Sequence, residues 1–294
     1  MSLQFIIGSS GIGKTHYACE QIIRESMENP QHLYYIIVPE QFTMQTQKNV
    51  VEMHPGKGIL NIDVLSFQRL AYRIFEETGG AREVLLDDTG KSMVLQKLVQ
   101  QHRKNLPYLG SQMNKPGYLD EVKSLISEFM QYDIREEELQ DMLGKTGEDS
   151  LLHMKMQDVG VLYQAFLQYL EGHYMTGEGV MDALKKAIPF SDKLKKSVLL
   201  LDGFTGFTPV QMNVIRELLN VCDKVLVTVT MDAGENPLQM GKPHQLFYMS
   251  RKMIHTLSGL TSNLDDPVLL KDERKGRFGN STSLDFLEKH LFRY

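Results

Sequence analysis

Residues Phe5-Ile6-Ile7-Gly8-Ser9-Ser10-Gly11-Ile12-Gly13-Lys14-Thr15 constrain this chain more than any other stretch. They read as a short apolar strand entering the pattern GxxxxGK[ST], with a helical pattern behind it from Thr15 to Glu28. Consecutive backbone N–H groups of such a turn form an anion-binding concavity, and the dipole of the following helix adds positive potential. Gly8, Gly11 and Gly13 permit the backbone angles and the close approach that a cradled phosphate demands. Ser9, Ser10 and Ile12 complete the loop, Lys14 is placed to reach the β- and γ-phosphates, and the Thr15 hydroxyl is placed to ligate Mg²⁺.

The 294 residues allow one large domain or two ordinary ones. A net charge of −5 excludes a globally basic nucleic-acid binder, so any such surface must be local. Only Cys19 and Cys222 are present, which suits a reducing cytoplasm and excludes a disulfide framework within the chain. No apolar run has the length of a membrane span, and Met1-Ser2-Leu3-Gln4 lacks a signal-peptide charge pattern, so no membrane partner is expected.

Further along, strands and helices alternate. Leu33–Val38 is a continuous apolar run of the kind buried on both faces of a parallel sheet, and Ile59–Leu65 is a third strand candidate. Ser66 caps a following amphipathic helix. From about Gly79 to Ala187 almost no strand signal remains, and helices are predicted near Thr89–Arg103, Tyr118–Gln131, Glu136–Leu143, Leu151–His173 and Gly179–Ala187. The sheet pattern then resumes with Lys195–Asp202, an apolar strand ending in a carboxylate at the sheet edge where ligands bind in open α/β folds. There Asp202 can hold Mg²⁺ opposite Thr15, directly or through water, provided that the two elements are neighbours. A last strong strand covers Lys224–Thr230, and beyond it Gln245–Leu257 reads as a helix, Val268–Leu270 as a short strand and Asp272–Ser283 as mobile. The expected architecture is an α/β P-loop (RecA-like) parallel sheet from residues 1–78 and 188–235, an all-helical insertion at 79–187, and a tail at 236–294 leading to a second domain not contained in the chain.

Several segments together resemble a known family. Asp202-Gly203-Phe204-Thr205-Gly206-Phe207-Thr208-Pro209-Val210-Gln211 is similar to motif II of superfamily 1 helicases, and Leu65-Ser66-Phe67-Gln68-Arg69-Leu70 to their histidine-serine-phenylalanine motif, with Leu65 in place of histidine. Val38-Pro39-Glu40-Gln41-Phe42-Thr43 occupies the place of a DNA-contacting loop. The set GSSGIGKT, VPEQFTMQTQ, LSFQRL and LLLDGFTGFTPVQ, with the closing Leu284–Phe292, resembles the N-terminal region of the AddB (RexB) subunits of bacterial AddAB helicase–nucleases, over nearly the whole chain. The resemblance implies ATP and Mg²⁺ as ligands, an AddA-type partner, double-strand-break ends, single-stranded DNA and Chi sequences as substrates, and recombinational repair as the role. It also implies a nuclease domain with a 4Fe-4S cluster in the full-length family protein, which this chain does not reach; no cluster and no nuclease activity are expected here.

Departures from active helicases carry mechanistic content. Gly203 stands where motif II has the glutamate that activates the attacking water. No motif III follows Val229-Thr230-Met231-Asp232, and no second motor domain with its arginine finger is present. The expectation is a domain that binds Mg·ATP through Gly8–Thr15 and Asp202 and hydrolyses it slowly alone. A catalytically competent P-loop NTPase or kinase, and a structural subunit with a vestigial site, stay open as alternatives. Candidate DNA contacts are Gln41, Thr43 and Gln45 after the second strand, and Ser66, Phe67 and Arg69 after the third. Phe67 suits stacking and Arg69 phosphate, while a Phe67 buried at the helix start and an Arg69 merely solvated on the helix stay open as the alternative.

Overall fold

The computed structural model describes residues 2–80, 83–113, 115, 117–232, 234–271, 277–278 and 280–292. The chain opens with β1 (Ser2–Gly8), α1 (Lys14–Glu28), β2 (Leu33–Ile37), α2 (Thr43–Met53), β3 (Ile62–Leu65) and α3 (Phe67–Thr78). It continues with β4 (Val84–Leu85), α4 (Asp88–His102), α5 (Leu109–Gln112), α6 (Tyr118–Gln131), α7 (Glu136–Gly144), α8 (Leu151–Leu170), β5 (Tyr174–Met175) and α9 (Gly177–Ala187). Then follow β6 (Ser197–Leu201), α10 (Pro209–Val221), β7 (Lys224–Thr230), α11 (Tyr248–Ser258), β8 (Val268–Leu269) and α12 (Thr282–His290). Two compact units result: residues 1–79, 184–207 and 211–294 form one, and residues 80–183 with 208–210 form the other.

The first unit is built on a six-stranded sheet in the order β3-β2-β6-β7-β1-β8, in which every pairing is parallel. All five residues of β6 are buried, as expected of a central parallel strand covered on both faces. Period-two alternation sorts the side chains: Ile6, Ile36, Leu200 and Leu226 share one face and pack with Ala18, Cys19 and Ile22 of α1 and Val50 of α2. This is an α/β fold of the RecA-like kind.

Several element boundaries depart from the sequence expectation for local reasons. The strand predicted from Ile59 begins only at Ile62, and Leu60 is fully exposed, so its apolarity marked no ladder position. Within the stretch predicted as wholly helical, β4 and β5 pair in parallel, Val84 with Tyr174 and Leu85 with Met175. Strands of two residues are too short for periodicity to register. The long helix stops at Leu170 rather than His173 because Gly172 turns the chain with a φ of 74° into β5. Of the stretch read as mobile, residues 272–276 and 279 lie outside the described residues, whereas Thr282 and Ser283 begin α12. The chain after Asp232 returns to the sheet: β8 pairs with β1 through Ile6–Val268 and Ile7–Leu269, and α11 buries Met253, Ile254 and Leu257.

The second unit is a helical cluster whose core joins Leu95 and Leu98 of α4, Val122, Ile126 and Phe129 of α6, and Leu162, Tyr163 and Phe166 of α8. Two buried polar groups organise it. Asp158 on α8 accepts the backbone N–H of Tyr108 at 2.9 Å and of Leu109 at 2.7 Å, tying the start of α5 to α8. Lys91 on α4 pairs with Glu178 on α9 at 3.0 Å, with side chains 9% and 10% exposed, and donates also to the Ser127 hydroxyl at 3.2 Å.

Candidate functional site

The sheet edge formed by the C-terminal ends of β1, β6 and β7 gathers the polar residues singled out in the sequence. Contrary to the requirement that the loop and Asp202 be carried on neighbouring elements, β7 separates β6 from β1. The gap is closed by side chains. Register explains how: Leu201 pairs with Val227, so Asp202, the next residue, comes level with Thr228. The Asp202 N–H donates to the Ile37 carbonyl at 3.0 Å, which extends the β6–β2 ladder and fixes the direction of the carboxylate.

Asp202 is 5% exposed and is held by two hydroxyls from opposite sides. Thr15 Oγ1 lies 2.9 Å from Oδ2 and 3.0 Å from Oδ1, and Thr228 Oγ1 donates to Oδ1 at 2.6 Å. Thr228 is buried on β7 and is not among the residues that the sequence singles out. A threonine inside an apolar strand carries no motif, and only the register between β6 and β7 aims it at Asp202.

The loop between β1 and α1 is shaped by backbone constraints. Gly13 caps α1 with a φ of 101° and Gly11 has a φ of 75°, both in the left-handed region that side chains avoid. Lys14 is the first residue of α1, and its Nζ donates to the Ser9 carbonyl at 2.8 Å. Burial pushes the Lys14 ammonium below the usual lysine range, against the opposing pull of the Asp202 and Glu288 carboxylates. Beside these residues lies a cavity of about 580 Å³, lined among others by Gly11, Gly13, Lys14, Thr15, Asn49 and Arg277. Cys19 forms part of its wall, and burial raises its thiol to about 12, which makes it an inert apolar surface at neutral pH. A cavity of similar volume in the helical unit, lined by Tyr163, Glu178 and Asp182 among others, shares no residue with this loop.

The arrangement offers a glycine turn at the start of a helix, one ammonium and one buried carboxylate bridged to a hydroxyl. Such a set suits a polyanion with a hard divalent cation between it and the carboxylate. Groups of three or more His, Cys, Asp or Glu in ligating arrangement are absent among the described residues. One carboxylate and one hydroxyl still fit Mg²⁺, which is commonly held by one or two protein oxygens with phosphates and waters completing its shell. Gly203, next to Asp202, is exposed and has a φ of 78°. Its backbone is thus one that a glutamate would adopt only under strain.

The other candidate contacts divide. Gln41 is exposed in a turn between β2 and α2, and Arg69 is exposed on α3, where Nε donates to Glu40 Oε1 at 3.0 Å. Gln45 is exposed and donates to Asn49 at 2.8 Å. Thr43 is buried and its hydroxyl donates to the Glu40 carbonyl. Ser66 is buried and caps α3 by accepting the Arg69 N–H. Phe67 is 5% exposed beneath the half-buried Phe204 and Phe207, at ring-centroid distances of 5.6 and 6.3 Å. The aromatic surface presented at this edge therefore belongs to the loop after β6, not to Phe67.

Sheet order, loop and carboxylate together define the class: a parallel α/β domain of RecA-like topology with a glycine turn between its first strand and first helix. The particular family follows from comparison with known proteins. The family model described as "ADDB, N-terminal" matches residues 5–288, and the chain belongs to that family. It is 44% identical over its whole length to the AddB subunit of the ATP-dependent helicase/deoxyribonuclease of Lachnoclostridium phytofermentans, covering 26% of that protein. To the proteins of the same name from Desulforamulus reducens and Clostridium acetobutylicum it is 32% identical, again over its whole length, covering 26% and 25% of them. The chain thus spans about a quarter of the length of the curated relatives it matches. None of the helices is long and apolar enough to cross a membrane among the described residues.

Proposed function

We propose that this chain is the nucleotide-binding part of an AddB-type subunit, that it binds Mg·ATP, and that it hydrolyses ATP slowly when alone. The observation that carries this reading is the Thr15–Asp202–Thr228 cluster beside the glycine loop, at the carboxyl edge of a parallel sheet. Backbone N–H groups of Ser10 to Thr15 cradle the phosphates, and Lys14 supplies positive charge. Asp202, aimed by Thr228, and the Thr15 hydroxyl hold the cation. Bound Mg²⁺ neutralises phosphate charge. Gly203 provides no base, and a base contributes roughly 10²–10⁴-fold to such reactions, so binding without robust turnover follows. In the full-length assembly this domain acts with an AddA-type subunit on double-strand ends, single strands and Chi-containing DNA during recombinational repair. Gln41, Gln45 and Arg69 are the DNA contacts that exposure permits. An iron–sulfur cluster and nuclease activity belong to parts of the relatives beyond this chain.

Calorimetric titration with ATP, with and without Mg²⁺, alongside steady-state turnover, tests this. Asp202→Ala is expected to lower affinity in Mg²⁺ to the level measured in EDTA, with little change in EDTA itself. Turnover typical of an active motor that survives Lys14→Ala, or absence of any nucleotide binding, overturns the reading.

A further inference from the structure

Arg277 and Phe278 belong to none of the loop residues, yet the chain brings them back against the glycine turn. The Arg277 N–H donates to the Gly11 carbonyl at 2.8 Å. The Phe278 ring covers Gly11 so closely that a Cβ there would lie 2.8 Å from Cε2 and 3.1 Å from Cδ2. Gly11 is therefore fixed twice, by its own φ of 75° and by the Phe278 ring. The exposed Arg277 side chain lines the same cavity as Lys14 and Thr15.

We propose that the Arg277–Phe278 turn is an outer wall of the nucleotide site, in which the Arg277 guanidinium contacts the phosphates and Phe278 holds it in place through Gly11. This rests on the nucleotide-binding reading above. A guanidinium offers a fixed fork of donors that matches phosphate oxygens, and its charge complements the single ammonium of Lys14. Tethering through a backbone hydrogen bond and a ring contact places the arginine in advance, so less freedom is lost on binding. The helix that follows, α12, carries Glu288, whose carboxylate acts on Lys14.

The test is titration of the chain with Mg·ATP and Mg·ADP, comparing Arg277→Ala, Arg277→Lys and Phe278→Ala, with the unfolding midpoint without nucleotide as the control for folding. Arg277→Ala is expected to weaken binding about tenfold or more, the scale of one charge-assisted contact. Arg277→Lys is expected to recover part of that loss. Phe278→Ala is expected to weaken binding severalfold at an unchanged midpoint. Should Arg277→Ala lower the midpoint, Arg277→Gln decides, since it keeps much of the stem without the charge. Affinity within twofold of the unaltered chain in the folded variants overturns the proposal while leaving the nucleotide site standing. An unaltered chain that binds no nucleotide removes both.

Discussion

Lys14→Ala is expected to weaken Mg·ATP binding about 100-fold or more. The ammonium can make at least two charge-assisted hydrogen bonds to phosphate oxygens, each worth about 1.5–3 kcal/mol. Its pH dependence has a definite sign. Only the ammonium binds phosphate, and burial holds the Lys14 pKa below the usual lysine range. Affinity therefore declines as pH rises through that lowered value, earlier than for an exposed lysine near about 10.4. Bound phosphate favours the charged form, so binding at alkaline pH is accompanied by proton uptake. Calorimetry in buffers of different ionisation enthalpy reads that uptake directly. Affinity of Lys14→Ala within a few-fold of the unaltered chain would show that the loop holds no phosphate.

The second large effect is expected in the helical unit. Lys91→Met strips Glu178 of its cation and is expected to destabilise the fold by about 3–5 kcal/mol, because an uncompensated charge is left buried. Lys91→Met combined with Glu178→Leu is expected to recover most of that loss. Acid behaviour separates the variants. Burial pushes the Glu178 carboxyl up, but hydrogen bonds from Lys91, the backbone and Thr176, together with the charge of Lys91, outweigh it and hold the group below the usual glutamate range. Its contribution is thus full above about pH 4.3 and is lost only as pH falls through the lower folded value. With Lys91 removed, only the backbone and Thr176 hydrogen bonds still oppose burial and the pKa rises, so protonation begins at higher pH. Urea unfolding at neutral pH, with an acid titration of the folded signal, measures both effects. A single variant as stable as its double counterpart would refute the role given to the pair.

The sequence made the central strands legible because parallel strands buried on both faces must be continuously apolar. The runs around Tyr34–Ile37 and Val198–Leu201 could be little else. Helices with one apolar stripe, such as α6, were equally readable, and Tyr118–Gln131 has the predicted limits. By contrast, the core face of α4 includes Lys91, a charge whose burial makes sense only once Glu178 is opposite. Ser66 read both as a helix cap and as a candidate contact, Thr43 only as a candidate contact, and the structure uses both to satisfy nearby backbone groups. Phe67 read either as a stacking residue or as buried at a helix start, and two aromatics more than a hundred residues later bury it.

By itself the sequence determined the glycine turn, the lysine and threonine that follow it, and a strand ending in Asp202, because each depends on neighbours within a few positions. Only the tertiary structure decided that β7 lies between the loop and Asp202, that Thr228 aims the carboxylate, and that Arg277 and Phe278 close on Gly11. Those contacts join residues 26 to more than 260 positions apart, and strand order and register, not local pattern, bring such residues together.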